Sequence, residues 1–164
     1  MQFVSLQKVR LSSRGGFKRG SDMKLQTASA AISFAKKLED ESAKLYEDLS
    51  KRYAKDEDVW LSFAKENRQN VVQIERAYYG VITDAIEGCF AFDIEPAAYM
   101  FETTLAENVS YSDALARAIE VEEQIGKFYS DAAEQSKPLL ADVPRVFVMI
   151  AKKRNDRVAK LRSL

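Results

Sequence analysis

The spacing of apolar residues along the chain predicts four long helices. In the first of them, Ile32, Glu39, Tyr46 and Tyr53 recur every seven residues and form an apolar stripe that only Glu39 interrupts. Similar stripes follow in three further segments. The predicted helices cover residues 27–54, 56–87, 111–136 and 142–162.

Helix-capping residues support these boundaries. Ser110 with Asp113 three residues later is a cap-like start for the third helix, and Asp142 with Pro144 opens the fourth. Gly88 is a suitable end for the second helix. The middle connection is the long one, and we expect a short helix within it at 97–106. The chain is therefore predicted to be all-α.

Polar residues interrupt the apolar stripes at matching places in the two halves of the chain. Glu39 and Tyr46 of the first helix correspond to Glu122 and Tyr129 of the third, 83 residues later in both cases. In the second and fourth helices the interruptions lie 87 residues apart. They are Asn67 and Asn70, then Arg154 and Arg157. This pattern indicates a duplicated helical hairpin with polar residues in the middle of each helix.

The composition excludes several classes of chemistry. The 164 residues contain no histidine and one cysteine, Cys89. Histidine-based triads, His-ligated zinc or haem and CxxC-type sites are therefore excluded. A metal site would have to use carboxylates, with amides or tyrosines in support. A single free cysteine fits a reducing compartment, and we expect the protein to be cytoplasmic.

The charge is balanced overall, with 25 basic and 25 acidic residues, but it is unevenly distributed. Residues 1–22 carry a net charge of +4 and the remainder −4. We interpret 1–26 as a basic N-terminal extension and 27–164 as one helical domain. The mildly acidic domain argues against nucleic-acid binding, and no apolar run is long enough to span a membrane.

The helical segments resemble the ferritin-like superfamily, in particular its rubrerythrin-type di-iron domains. Residues 38–46 and 121–129 are similar to the odd helices of that family, in which a ligand Glu precedes a Tyr by seven residues. Residues 63–70 and 150–157 are similar to the even helices, which carry Glu-x-x-His. The resemblance implies a four-helix bundle running up-down-down-up, with a long crossover between helices two and three.

At the metal-ligand positions the chain departs from the family. Glu39 and Glu122 are kept, but the two Glu-x-x-His motifs become Asn67-x-x-Asn70 and Arg154-x-x-Arg157. Arginine stays protonated and does not ligate metals, whereas its planar fork suits carboxylates. We expect a vestigial di-iron site that binds no metal or other cofactor and carries no catalytic residue. Glu39 and Glu122 should pair with Arg154 and Arg157, the two asparagines should complete the hydrogen bonds, and Tyr46 and Tyr129 should lie beside them.

Alternatives remain for the site. The two glutamates are also compatible with ordinary boundary positions, and the two arginines with a solvated basic face. A shift of register would make Glu66-x-x-Gln69 the motif of the second helix.

The leading functional interpretation is a non-catalytic protein with a structural or interaction role. The main alternative is a metal-dependent, di-iron oxidoreductase or iron-handling protein with a rearranged carboxylate site. Its ligands would come from five acids, Glu39, Glu41, Glu66, Glu122 and Glu123. A partner-binding module that uses the aromatic residues around the crossover is a third possibility, and the same residues would suit a homodimer. These residues are Tyr78, Tyr79, Phe90, Phe92, Tyr99 and Phe101.

Overall fold

Four long helices dominate the structure, a computed structural model that describes residues 23–81, 90–138 and 142–164. They are α1 (Ala28–Arg52), α2 (Glu57–Tyr79), α3 (Tyr111–Ser136) and α4 (Val143–Arg162). The predicted all-α class is therefore confirmed. Most of the predicted N-terminal extension, residues 1–22, lies outside the described residues.

Two of the helices begin at side-chain caps. The Thr27 hydroxyl accepts a hydrogen bond from the Ala30 amide at 3.1 Å and opens α1. The Ser110 hydroxyl accepts from the Asp113 amide at 3.0 Å and also donates to the Asp113 carboxylate at 2.7 Å. These bonds satisfy amide groups that have no partner within a first helical turn. The start predicted for α3 from Ser110 and Asp113 is confirmed.

The second helix is shorter than predicted. It ends at Tyr79, with Gly80 as its C-cap, so the prediction of one helix continuing past Gly80 is wrong. Residues 82–87 of the predicted helix lie outside the described residues. Glycine is a poor helix former, and the β-branched residue Val81 follows it. Gly88, the predicted end, lies outside the described residues.

The crossover also differs from the prediction, because it contains a small sheet. Strand β1 (Leu25–Thr27) pairs antiparallel with β2 (Phe90–Ile94) in a register that aligns Leu25 with Ile94. A 3₁₀ helix follows at Pro96–Tyr99, and the backbone becomes extended at Met100. The predicted helix at 97–106 is therefore wrong, and the two β-branched threonines at 103 and 104 disfavour it.

Consecutive helices form two antiparallel hairpins. Between α1 and α2, Lys36 pairs with Glu75, while Ser42 accepts a hydrogen bond from Asn67 at 2.8 Å. Between α3 and α4, Arg154 approaches Gly126, the position in α3 that leaves most room for the facing helix. The ideal Cβ position of Gly126 lies 3.4 Å from the Arg154 Cβ.

The two hairpins pack against each other through α1 with α3 and α2 with α4. Tyr46 meets Glu122 and Glu39 meets Tyr129, so α1 and α3 run antiparallel. The Arg157 guanidinium of α4 lies 4.5 Å above the Phe63 ring of α2. All four helices thus contribute side chains to one interior.

The aromatic residues around the crossover are mostly internal. Tyr78, Phe92 and Tyr99 are buried, and Phe101 is partly buried against the core. Tyr79 is 65% exposed, and the side chain of Phe90 lies outside the described residues. The aromatic patch from which we predicted a homodimer is therefore largely covered by the chain itself, and the dimer stays a prediction. Within the described ranges, no helix is long and apolar enough to cross a membrane.

Candidate functional site

The polar residues predicted to interrupt the helix stripes meet in the middle of the interior. None of the six is more than 4% exposed. They are Glu39, Asn67, Asn70, Glu122, Arg154 and Arg157. The alternatives of boundary acids and of a solvated arginine face therefore do not hold.

Arg154 joins the two buried glutamates. Its Nη2 donates to Glu39 Oε2 at 2.6 Å, and its Nη1 donates to Glu122 Oε1 at 2.7 Å. All three side chains are fully buried. Burial alone lowers the pKa of Arg154, but the charges of Glu122 and Glu39 outweigh it, so the pKa lies above its ordinary value. Arg154 therefore stays charged and holds together carboxylates from α1 and α3.

Arg157 links this pair of glutamates to α2 and to the rim of the bundle. Its Nη1 donates to Asn67 Oδ1 at 2.7 Å and to Glu122 Oε1 at 3.3 Å. Its Nη2 donates to Glu66 Oε2 at 2.7 Å, and its Nε donates to the same oxygen at 3.2 Å. The Glu66 side chain is 39% exposed. The Arg157 charge is therefore shared between a buried and a half-exposed carboxylate.

The two asparagines complete the inner lining on α2. Asn67 Nδ2 donates to the Ser42 hydroxyl at 2.8 Å, and Asn70 Nδ2 donates to Glu39 Oε2 at 3.3 Å. Ser42 in turn donates to the Leu38 carbonyl at 2.7 Å. Asn67 thus accepts from the Arg157 cation while it donates to Ser42, and Asn70 donates to the Glu39 carboxylate. An ionised carboxylate at either position could not donate these hydrogen bonds.

Tyr46 and Tyr129 bond the glutamates of the opposite hairpin. The Tyr129 hydroxyl donates to Glu39 Oε1 at 2.7 Å, and the Tyr46 hydroxyl donates to Glu122 Oε1. Burial, followed by the charge of the facing glutamate, raises the pKa of each phenol well above its ordinary value. Both tyrosines therefore stay protonated at neutral pH and act as hydrogen-bond donors.

These raised pKa values predict a loss of stability in alkali. In the unfolded chain both phenols lose their protons near pH 10, whereas in the folded chain they keep them to higher pH. The free energy of unfolding should therefore fall above pH 10 by about 1.4 kcal/mol per pH unit for each of the two tyrosines. Urea unfolding between pH 8 and 11 measures this slope.

A variant with both Tyr46→Phe and Tyr129→Phe is the control for the alkaline experiment. It should lose about half of the slope, because phenylalanine does not titrate, whereas Tyr99 and Tyr111 keep their contributions. Burial and the hydrogen bonds to Asp131 and Asp56 raise the pKa of these two tyrosines as well. Absorbance at 295 nm gives a second readout on the folded protein. If all seven tyrosines ionised near pH 10 without unfolding, the buried hydrogen bonds to Glu39 and Glu122 would be contradicted.

Three polar atoms of the network have no hydrogen-bond partner among the described residues. They are Glu122 Oε2, Asn70 Oδ1 and Arg154 Nε. In contrast, Glu122 Oε1 accepts from Tyr46, Arg154 and Arg157. The hydrogen bonds of the network are therefore concentrated on one carboxylate oxygen, while three other buried polar atoms lack partners within the described residues. The stability of the network should therefore be sensitive to the loss of any member.

The residues present do not fit a di-iron centre. The Arg154 guanidinium lies between the only two carboxylates at the six family positions, where it contacts one oxygen of each. A cation there would meet a fixed positive charge. Among the described residues, no group of three or more His, Cys, Asp or Glu side chains is placed to hold a metal ion.

The other acids considered for a rearranged metal site do not converge on the network as a set. Glu41 pairs with Lys37 at 3.8 Å and Glu123 pairs with Arg162 at 2.6 Å, and both ion pairs are at the surface. Gln69 is exposed, so the shifted Glu66-x-x-Gln69 motif does not point inward as a unit. Glu66 alone joins the network, from its edge.

Sequence patterns missed three parts of the site. Glu66 lies off the inner stripe, so its pairing with Arg157 is visible only once α2 and α4 are packed. Ser42 flanks the stripe but carries no signal beyond its small size. Gly126 lies four residues after Glu122 in α3, and a glycine inside a long helix is the one available hint of a close approach to another helix.

No protein-family model, no curated protein and no solved structure matches this chain. Its interpretation therefore rests on the residues and on the geometry of their contacts.

Proposed function

We propose that this protein is a ferritin-fold chain of the rubrerythrin type in which an arginine–glutamate network replaces the di-iron site. It acts through its structure or through association and not through redox catalysis. The helix contacts support this topology. Since α1 is antiparallel to both α2 and α3, and α3 is antiparallel to α4, these contacts favour helices that run up-down-down-up, the arrangement implied by the resemblance.

One observation carries the proposal, namely the position of Arg154 between Glu39 and Glu122 at 2.6 and 2.7 Å. In a di-iron protein these two glutamates would face metal cations. Here they face a guanidinium that is fully buried and stays charged. Two buried carboxylates and two buried guanidiniums balance without any metal.

The buried network has a structural rationale of its own. Breaking a buried ion pair is costly because it strands a charge in a medium of low dielectric constant. The network joins all four helices. Its hydrogen bonds between helices fix the rotation of each helix about its own axis relative to its neighbours. We infer that it specifies how the two hairpins align, a role for which buried polar residues are known in coiled coils.

The metal content of the purified chain tests this proposal. Protein made in iron-rich medium should contain much less than one iron or manganese per chain. Stoichiometric metal would instead favour the metal-dependent oxidoreductase or iron-handling alternative.

A further inference from the structure

A cavity of about 380 Å³ lies between α2 and α4, with Arg157 in its wall. Lys153 and Lys160 also line it, so that α4 contributes three cations at positions i, i+4 and i+7. Residues at this spacing lie on one face of a helix. The wall formed by α4 is therefore strongly basic.

The cavity retains a positive surplus after its acids are counted. Glu66 is already paired with Arg157 at 2.7 Å, which leaves Asp156 to offset Lys153 and Lys160. In the part of the chain that the structure describes, neither lysine forms an ion pair, and Asp156 forms none either. Lys160 lies 5.8 Å from the centre of the Phe63 ring, which places its ammonium at the cavity.

Neutral donors face the lysines from α2. The Ser62 hydroxyl and the Gln69 amide line the same cavity, and neither makes a hydrogen bond within the described ranges. Ammonium, hydroxyl and amide groups are all donors that bind oxyanions. The volume is also in the range of small-ligand sites.

We propose that this cavity binds a small free oxyanion of the phosphate class. Lys153 and Lys160 supply the charge, and Ser62 and Gln69 supply neutral hydrogen bonds. A doubly charged anion is preferred to a singly charged one because two lysines face it. The cavity adjoins the vestigial metal positions at Arg157, but the four residues that would bind the anion are not among those positions.

The test is a titration of the full chain with inorganic phosphate and with pyrophosphate at constant ionic strength, followed by ¹H–¹⁵N NMR. Amide shifts should concentrate at residues 62–69 and 153–160, with a dissociation constant on the order of 1 mM or tighter for phosphate. Pyrophosphate should bind more tightly. Shifts spread over the whole surface, or none at these residues, would overturn the proposal.

Variants that remove a positive or a negative charge from the cavity test the proposal more specifically. Lys153→Ala and Lys160→Ala should each weaken phosphate binding roughly two- to fivefold, whereas Asp156→Asn should strengthen it by a similar factor. Lys152→Ala is the matched control, because Lys152 is exposed on the same helix and does not line the cavity. An equal loss of affinity in Lys152→Ala would show only a general effect of net charge and would contradict the site.

Titration with a short single-stranded oligonucleotide tests whether the cavity instead binds the phosphate groups of a nucleic acid. We expect it to bind more weakly than pyrophosphate at the same ionic strength, because the cavity takes a small ligand and the domain around it is mildly acidic. Tighter binding of the oligonucleotide through the same residues would overturn the claim that the ligand is a small free anion.

Discussion

Replacing Arg154 by leucine is expected to lower the free energy of unfolding by about 3–5 kcal/mol. The change removes the donor shared by Glu39 and Glu122, both of which are fully buried. Glu39 keeps Tyr129 and Asn70, and Glu122 keeps Tyr46 and a longer bond from Arg157, but the compensating charge at the centre is lost. Urea unfolding at pH 7, followed by far-UV circular dichroism, measures the loss.

A double-mutant cycle separates this ionic effect from simple packing. The variant with both Glu122→Leu and Arg154→Leu should cost far less than the sum of the two single changes, because it strands fewer charges. The difference should be roughly 2–3 kcal/mol. It should not cancel completely, since Glu39 still loses its bond to Arg154.

Arg162→Leu is the matched control for this cycle. Arg162 lies on the same helix and pairs with Glu123 at the surface, so its loss should cost at most about 1 kcal/mol. Additive costs for Glu122→Leu and Arg154→Leu would show that the buried contacts do not act as a network. A single change Arg154→Leu that left stability unchanged would show the same.

The second large effect is expected from restoring the family pattern of ligands. A variant with Asn67→Glu, Asn70→His, Arg154→Glu and Arg157→His would place four carboxylates and two imidazoles at the six positions. Without metal it should be much less stable than the unaltered chain, because four buried carboxylates would lack a cation. Fe(II) added without oxygen should stabilise it, since metal binding is then coupled to folding.

The size of this rescue follows from mass action. At a free metal concentration of 100 times the dissociation constant, binding adds about 2.7 kcal/mol. For a chain of this length that corresponds to a rise in Tm of roughly 5–10 °C, measurable by scanning calorimetry. The unaltered chain is the control and should show no such rise. A folded variant that showed no metal-dependent shift would mean that the six positions do not converge as ligands.

Helical phase explains how much of the site could be predicted. Glu39 and Glu122 interrupt apolar stripes at matched positions, and any residue on such a stripe must point inward once the helix packs. The same argument applied to Asn67, Asn70, Arg154 and Arg157, and the structure places all six side chains together in the interior. The periodicity of the apolar residues therefore predicts the six buried residues of the network.

The rest depended on contacts between distant segments. Glu66 is half-exposed and lies off the apolar stripe of α2, so periodicity does not mark it. It nevertheless accepts two hydrogen bonds from Arg157. Strand β1 is three residues long, and a period of two cannot be recognised over so short a run. The end of α2 at Tyr79 differs from the prediction because Val81 continues the apolar stripe of the helix past Gly80, although the helix ends at that glycine.

The metal content of the purified chain tests the central claim most directly. Cells should be grown in iron-rich medium, and the fourfold ligand variant should be purified in parallel as the positive control. Elemental analysis should find iron and manganese far below one atom per chain in the unaltered protein, because the Arg154 guanidinium lies between Glu39 and Glu122. One or two atoms of iron or manganese per unaltered chain would contradict the account and favour a metal-dependent oxidoreductase.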